Sequence, residues 1–240
     1  MREQALGDLR ISGVGTYPGG NYALISIDGV GRVNGNLICE EIECNGTVKL
    51  RNVQVKNQMS VNGSGNVDGC LEGGSLRVDG MLKVRDEIRI DHLDINGMLT
   101  GLRGANGEKA EVNGSLKVQG DMQYEVIEVH GSLKVSGLLN AGTIHMELNG
   151  GCSAREIGVE QITVRKRGSL YGILGKITGK FSYLETDIIE GDDIDVEFTK
   201  ARVIRGNRIR IGAGCEVDLV EYKESYEADP KSDVSRAVRV

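Results

Sequence analysis

The chain has 240 residues, a formal net charge of −6, 35 Gly, two Pro, seven Tyr, two Phe and no Trp. Glycine stands at roughly twice its usual share. It does not recur at every third position, which excludes collagen, and 39% hydrophobic residues are too many for a disordered Gly-rich linker. So few aromatics argue against a core anchored on large rings; small aliphatics with abundant Gly point instead to a thin core of many similar short strands, and so to repeats.

The first residues, MREQALGDLR, have no apolar stretch and no small-residue cleavage site, so no secretory signal is expected there. Nor does any apolar run reach the roughly 18–20 residues of a membrane span. Residues 1–24 read as an N-terminal cap. Leu9-x-Ile11 forms a first strand or lid, and Gly13 to Gly20, with four Gly and Pro18, forms a loop.

Residues 25–148 carry the repeat. The pairs Asp28-Gly29, Asn45-Gly46, Asn62-Gly63, Asp79-Gly80, Asn96-Gly97 and Asn113-Gly114, then His130-Gly131, follow one another at a constant step of 17. Within a unit the apolar residues come in pairs separated by one residue, as in Leu76-x-Val78, Leu82-x-Val84 and Ile88-x-Ile90, with Leu93-x-Ile95 opening the next unit. Period-2 alternation means strand. Three short strands in each unit make one rung of a three-sided parallel solenoid, an all-β fold. Hairpins, the usual meaning of Asn-Gly, would need two strands per turn signal, not three.

A single rung cannot bury its inward face; stacked rungs bury continuous columns. One column runs Ile27, Cys44, Val61, Val78, Ile95, Val112, Val129, another Ile25, Ile42, Met59, Leu76, Leu93, Ala110, Ile127. A narrow bore leaves no room for Trp or many Phe. At the corner, Gly is expected at φ > 0 and the Asx residue in a tolerated left-handed conformation, with stacked Asn side chains bonding in a ladder. His130 reads as a corner substitute, not a ligand.

Residues 149–219 keep the strand chemistry in irregular rungs. Asn149-Gly150 follows His130-Gly131 at a step of 19 instead of 17, so the first break falls near residue 148. Gly168-Ser169-Leu170 repeats Gly131-Ser132-Leu133, the Gly-dense run from Gly172 to Lys180 suggests a bulge, and Tyr171, Phe181, Tyr183 and Phe198 suggest a wider or capped section. A 15-residue step then aligns Thr186–Val196 with Ala201–Ile211 and places Asp187 over Arg202, Glu190 over Arg205, Asp193 over Arg208 and Asp195 over Arg210. Read alone, the basic run resembles a nucleic-acid patch. Stacked, it becomes an inter-rung ladder that fixes register more than it stabilises. The overall acidity argues against nucleic acid. Residues 220–240, charged and holding Pro230, read as a flexible tail.

The h-x-h-[ND]-G units followed by G-S-L-K-V (Gly114 to Val118, Gly131 to Val135) resemble the bactofilin family of polymer-forming bacterial cytoskeletal proteins. The stretch from Ile211-Gly212-Ala213-Gly214-Cys215 to Tyr222 resembles bactofilin-like proteins of Gram-positive bacteria. The resemblance implies a right-handed β-helix, nucleotide-independent end-to-end assembly, and scaffolding of cell shape, envelope or motility machinery. It also implies a cytoplasmic setting, including the inner face of the membrane. The chain departs from that pattern in being nearly all repeat and in losing register in its second half.

Function follows from the end rungs, whose unpaired backbone groups and open apolar triangle must be capped or paired. The candidate contacts are Leu9, Ile11, Ile25 and Ile27 at one end and Ile209, Ile211, Val217 and Leu219 at the other. The expected partners are further copies of the chain or a related β-helix protein, and membrane-associated machinery; nucleotide and nucleic acid are not expected. A non-polymerising adaptor is the second reading, although the outward columns of Lys, Arg, Glu and Asn show no large apolar patch. A hexapeptide-type acyltransferase is the third. It would need an 18-residue rung and a His base near a loop, whereas the step here is 17, His92 follows Asp91 beside the strand Ile88-x-Ile90, His145 lies between two inward residues, and neither is in an inserted loop. With no Walker A, G-x-S-x-G or H-E-x-x-H motif and five scattered Cys and three scattered His, neither catalytic residues nor a cofactor or metal are expected. The cysteines read as reduced thiols.

Overall fold

A computed structural model describes residues 7–166 and 182–240. Among them there is no helix, and the strand pairings are parallel throughout. The chain divides into two compact units, Met1–Gly120 and Asp121–Val240, and each is a β-solenoid.

The first unit opens with β1 (Leu9–Ile11), β2 (Val14–Ile27) and β3 (Val30–Cys44). Short and long strands then alternate: β4 (Thr47–Leu50), β5 (Val53–Val61), β6 (Ser64–Val67), β7 (Leu71–Val78), β8 (Met81–Val84), β9 (Ile88–Ile95), β10 (Met98–Gly101), β11 (Ala105–Val112) and β12 (Ser115–Val118). The expected apolar pairs face inward. Leu76, Val78, Leu82, Val84, Ile88, Ile90, Leu93 and Ile95 are all 2% exposed or less. Both predicted columns run in register, Ile25↔Ile42↔Met59↔Leu76↔Leu93↔Ala110 and Ile27↔Cys44↔Val61↔Val78↔Ile95↔Val112.

The corner works differently from expectation. Among the described residues the glycines with positive φ are Gly20, Gly35 and Gly214, and none belongs to the 17-residue series of Gly29, Gly46, Gly63, Gly80, Gly97, Gly114 and Gly131. Close approach of the backbones, not left-handed geometry, selects glycine at that corner. A Cβ on Gly46, Gly63, Gly80, Gly97 or Gly114 would stand 1.9–2.1 Å from the carbonyl oxygen of the preceding corner glycine. The approach is tight because both amides of each Asx-Gly pair donate to one carbonyl of the rung before, as Asn45 and Gly46 do to Ile27 O at 2.8 and 2.9 Å.

The side-chain ladder forms in two segments. Asn45 donates to Asp28 and Asn62 to Asn45; Asn96 donates to Asp79 and Asn113 to Asn96, all within 2.8–3.1 Å. The break falls at Asp79 because a carboxylate has no N–H to give the Asn62 oxygen. Asp79 instead accepts from Arg77 at 2.8 Å.

The constant step at this corner hides compensating slips elsewhere on the rung. Val14 pairs with Val30 but Gly20 pairs with Leu37, so the offset grows from 16 to 17 across an irregularity between Pro18 and Gly20. Residues 13–20 are therefore mostly strand, not the loop expected from their Gly and Pro content. Among the described residues, no strand pairs with the Val14–Tyr22 stretch on its outer side, so Pro18 lies on an edge, where its missing N–H costs nothing.

The second unit comprises β13 (Met122–Val129), β14 (Ser132–Leu148), β15 (Cys152–Lys166), β16 (Leu184–Val196), β17 (Thr199–Ile211), β18 (Glu216–Ala228) and β19 (Asp233–Arg239). The pairing offset between β14 and β15 is 19 at Val135↔Ala154 and 18 from Leu138↔Glu156, so a bulge after Val135 absorbs one residue of the break. Tyr124, 1% exposed, points inward beside Ala141, a large-against-small match across rungs. The 15-residue offset of β16 and β17 is as expected. Tyr183 and Phe198 are half-buried and pack on each other at 6.1 Å. The readings placed on Gly168–Leu170, Tyr171, Gly172–Lys180 and Phe181 lie outside the described residues.

The tail expected at 220–240 is a correction. β18 runs to Ala228, and β19 pairs with it at an offset of 17, Val217↔Val234 and Val220↔Ala237. Pro230 sits in the turn between them.

Candidate functional site

The charge ladder forms as the sequence predicts. Arg202 meets Asp187 at 3.3 Å, Arg205 meets Glu190 at 4.0 Å, Arg208 meets Asp193 at 2.5 Å and Arg210 meets Asp195 at 3.6 Å. It also extends further. Arg205 bonds Glu221, Arg208 reaches Glu224 at 2.9 Å, and Lys200 reaches Glu216 at 2.9 Å, all on β18. The basic rung is thus held between two acidic ones, and its cations are satisfied along the stack. Hydrogen bonds from Arg208 hold the Asp193 carboxyl below the usual carboxylate range. Arg165, which carried no signal in the repeat, forks onto Asp195 through both carboxylate oxygens and also meets Glu197 at 3.9 Å.

The predicted end residues lie mostly one rung inside. Ile25 and Ile27 are covered by β1, where Leu9↔Ile25 and Ile11↔Ile27 pair. Ile11 is itself 1% exposed, and its Cδ1 fills the space where a Cβ on Gly31 would stand. Nearby the edge is blunted by Pro18 and the bulge after it, and the Tyr17 ring lies across Gly15.

At the other end, Ile209 and Ile211 are covered by Tyr226 and Ala228, and Val217 by Val234. Leu219 sits half-buried at a corner while Val220 takes the inward place, fully buried. The outermost strand segments are 223–228 of β18 and the whole of β19, with no described strand beyond them. Tyr222 and Tyr226 stack there at 5.4 Å, with burial and Tyr222 raising the Tyr226 hydroxyl's pKa. Ala237 stands over buried Val220 and is itself exposed. This is an unprotected strand edge beside an uncovered apolar column. The signal for it was the aromatic pair close to the chain's end.

Groups with chemical potential are scattered or held. His92 lies between Ser75 and Lys109 in register. His130 and His145 meet edge-on at 6.4 Å, with His130 Nδ1 3.3 Å from Glu147. Burial pushes the Cys39 thiol up to about 12 and those of Cys44 and Cys215 to about 11. Among the described residues no cluster of three or more His, Cys, Asp or Glu is arranged to hold a metal ion, and no helix is long and apolar enough to cross a membrane.

The chain is similar to two proteins of Bacillus subtilis (strain 168), the uncharacterized proteins YhbE and YhbF. It is 37% identical to YhbE over 108 residues, 45% of this chain and 45% of YhbE. It is 37% identical to YhbF over 105 residues, 43% of this chain and 42% of YhbF. The chain thus spans less than half the length of these curated relatives. No sequence-family model matches it, and no solved structure does.

Proposed function

We propose that the chain is a non-enzymatic structural scaffold of the bactofilin kind. In this reading its solenoid ends pair with further copies, or with a related β-helix protein, into nucleotide-independent filaments or higher oligomers. The observation that carries the reading is the C-terminal edge. β19 and the end of β18 leave backbone donors and acceptors facing outward beside exposed Ala237 and the half-buried Tyr222–Tyr226 stack, and edge-to-edge pairing is the direct way to satisfy such a surface. Because the N-terminal edge is blunted, C-terminal edges pair with each other first, and the resulting pairs extend through their N-terminal ends. The role in the cell that follows is mechanical support of shape, envelope or motility machinery from the cytoplasm.

Electron microscopy and light scattering of the purified full chain without nucleotide test this. Filaments or large oligomers are expected, and Ala237→Arg, which puts a charge over the Val220 column, is expected to reduce them to small species. A monodisperse monomer across concentration and salt, with no filaments, would sink the reading.

A further inference from the structure

The first unit has one side unlike its others. It is built from the four-residue segments beginning at Val14, Val30, Thr47, Ser64, Met81, Met98 and Ser115, and these contain no acidic residue in a chain whose net charge is −6. Two outward columns run along it in register. One is Thr16↔Arg32↔Lys49↔Asn66↔Lys83↔Thr100↔Lys117. The other is Val14↔Val30↔Thr47↔Ser64↔Met81↔Met98↔Ser115.

The second column changes the expectation that no apolar patch would be found. Of the six exposed large hydrophobic side chains among the described residues, four lie in this single column: Val14 at 86% exposure, Val30 at 48%, Met81 at 57% and Met98 at 49%. Beside them, Arg32, Lys83 and Lys117 have no ion-pair partner among the described residues, whereas Lys49 is paired with Asp68 at 2.9 Å. Of the acids on the two flanking corners, Asp68 is taken up by Arg85 at 3.1 Å, Asp86 by Arg103 at 3.3 Å and Asp79 by Arg77 at 2.8 Å, while Asp28 accepts from the Asn45 amide at 3.0 Å. Five rung steps of about 4.8 Å separate Val14 from Met98, so the column is roughly 24 Å long.

We propose that this side of the first unit docks on an anionic lipid bilayer. Uncompensated cations on a rigid sheet face match a negatively charged headgroup layer. Aliphatic and thioether tips in the adjacent column, standing out of the same face, match the boundary with the acyl chains just below it. A nucleic acid would be better served by aromatic side chains for stacking or by arginine forks. This face has no exposed aromatic apart from its edge at half-buried Tyr17, and thioethers and valines gain nothing from a phosphate backbone. The inference goes beyond the scaffold reading and does not depend on it, because one unit of one copy carries the whole surface.

The test is flotation of the full chain with phosphatidylcholine vesicles, with and without phosphatidylglycerol, at low and at 0.5 M salt. Binding is expected to the anionic vesicles only, and to weaken at high salt. The triple variant Arg32→Gln/Lys83→Gln/Lys117→Gln should lower the partition coefficient by about a hundredfold, at about fivefold per cation. Met81→Ser/Met98→Ser should remove the binding that survives high salt. Unchanged far-UV circular dichroism confirms the variants are folded, and light scattering on the Ala237→Arg variant separates docking from assembly, since that variant should still float. The proposal is overturned by no flotation at micromolar protein, by equal flotation with neutral vesicles, by a triple variant that binds as the parent does, or by tighter binding to duplex DNA than to the vesicles.

Discussion

Substituting a single corner glycine separates two explanations of why glycine is there. Gly63 does not have a positive φ, so by backbone conformation alone Gly63→Ala should stabilise the protein by about 0.4–1 kcal/mol through a stiffer unfolded chain. The stacking geometry demands the opposite. The added Cβ would lie 1.9 Å from Gly46 O and 2.5 Å from Asn45 O. Relieving those contacts moves the two rungs apart locally by about 1 Å, against a spacing that hydrogen bonds set. Three such bonds cross the gap at this point: Asn62 and Gly63 donate to Cys44 O at 2.8 and 3.0 Å, and Ser64 donates to Gly46 O at 2.9 Å. At a net worth of about 0.5–1.5 kcal/mol each, their loss outweighs the unfolded-state gain and leaves a destabilisation of about 2–3 kcal/mol. Urea unfolding followed by far-UV circular dichroism measures it, with Gly13→Ala as the companion variant, because a Cβ there meets nothing within 4 Å. The expected order is Gly13→Ala at or slightly above the parent and Gly63→Ala well below. If Gly63→Ala proves as stable as the parent, the close-approach account of the corner fails.

Other outcomes follow from the same geometry. Asp79 is held below the usual carboxylate range first by Arg77 and then by Asn96, so its contribution to stability is complete above the unfolded value of about 3.9 and is lost as the pH falls below it. Asp79→Asn should therefore flatten the acid limb of a Tm-against-pH curve below about pH 4. Burial raises the thiols of Cys39, Cys44, Cys152 and Cys215, so at pH 8 a disulfide reagent should titrate half-exposed Cys70 quickly and the other four only after denaturation. Because those folded-state values lie above the unfolded one, the stability they carry is full below about pH 8.5 and declines as the pH rises toward 11–12. Removing residues 221–240 uncovers Ile209, Ile211, Val217 and Val220, which are 0–3% exposed. At about 1.5–3 kcal/mol per fully buried aliphatic side chain, partial exposure of four should cost about 3 kcal/mol or more and lower Tm by about 6–12 °C, whereas losing a mere tail would leave Tm unchanged.

The rungs were legible because a stacked rung has to repeat both its inward pairs and its corner. Leu76/Val78 and Asn96-Gly97 could be placed from spacing alone, and the ladder of Asp187, Glu190, Asp193 and Asp195 with their arginines followed from one offset. Two things were not legible. One was the reason for glycine at the corner, since a sequence records the residue type but not how close the next backbone comes. The other was the outward sorting of Lys83, Lys117, Met81 and Met98 onto one side, because each looks ordinary within its own unit and only the register collects them.

The last rung shows why an end is harder to read than a middle. Each inward residue of an internal rung is covered from both sides and is therefore apolar: Ile194 lies between Ile162 and Ile209, all 2% exposed or less. A terminal rung is covered on one side only, so burial selects its inward residues weakly. Val234 and Ala237 stand where Val217 and Val220 stand one rung earlier, but Asp233, Arg236 and Arg239 around them give the segment the composition of a solvated tail. The 17-residue step from Val217 to Val234 and from Val220 to Ala237 was present all along. What hid it was that same one-sided burial, which leaves the inward positions of the rung free to take small or unremarkable residues such as Ala237.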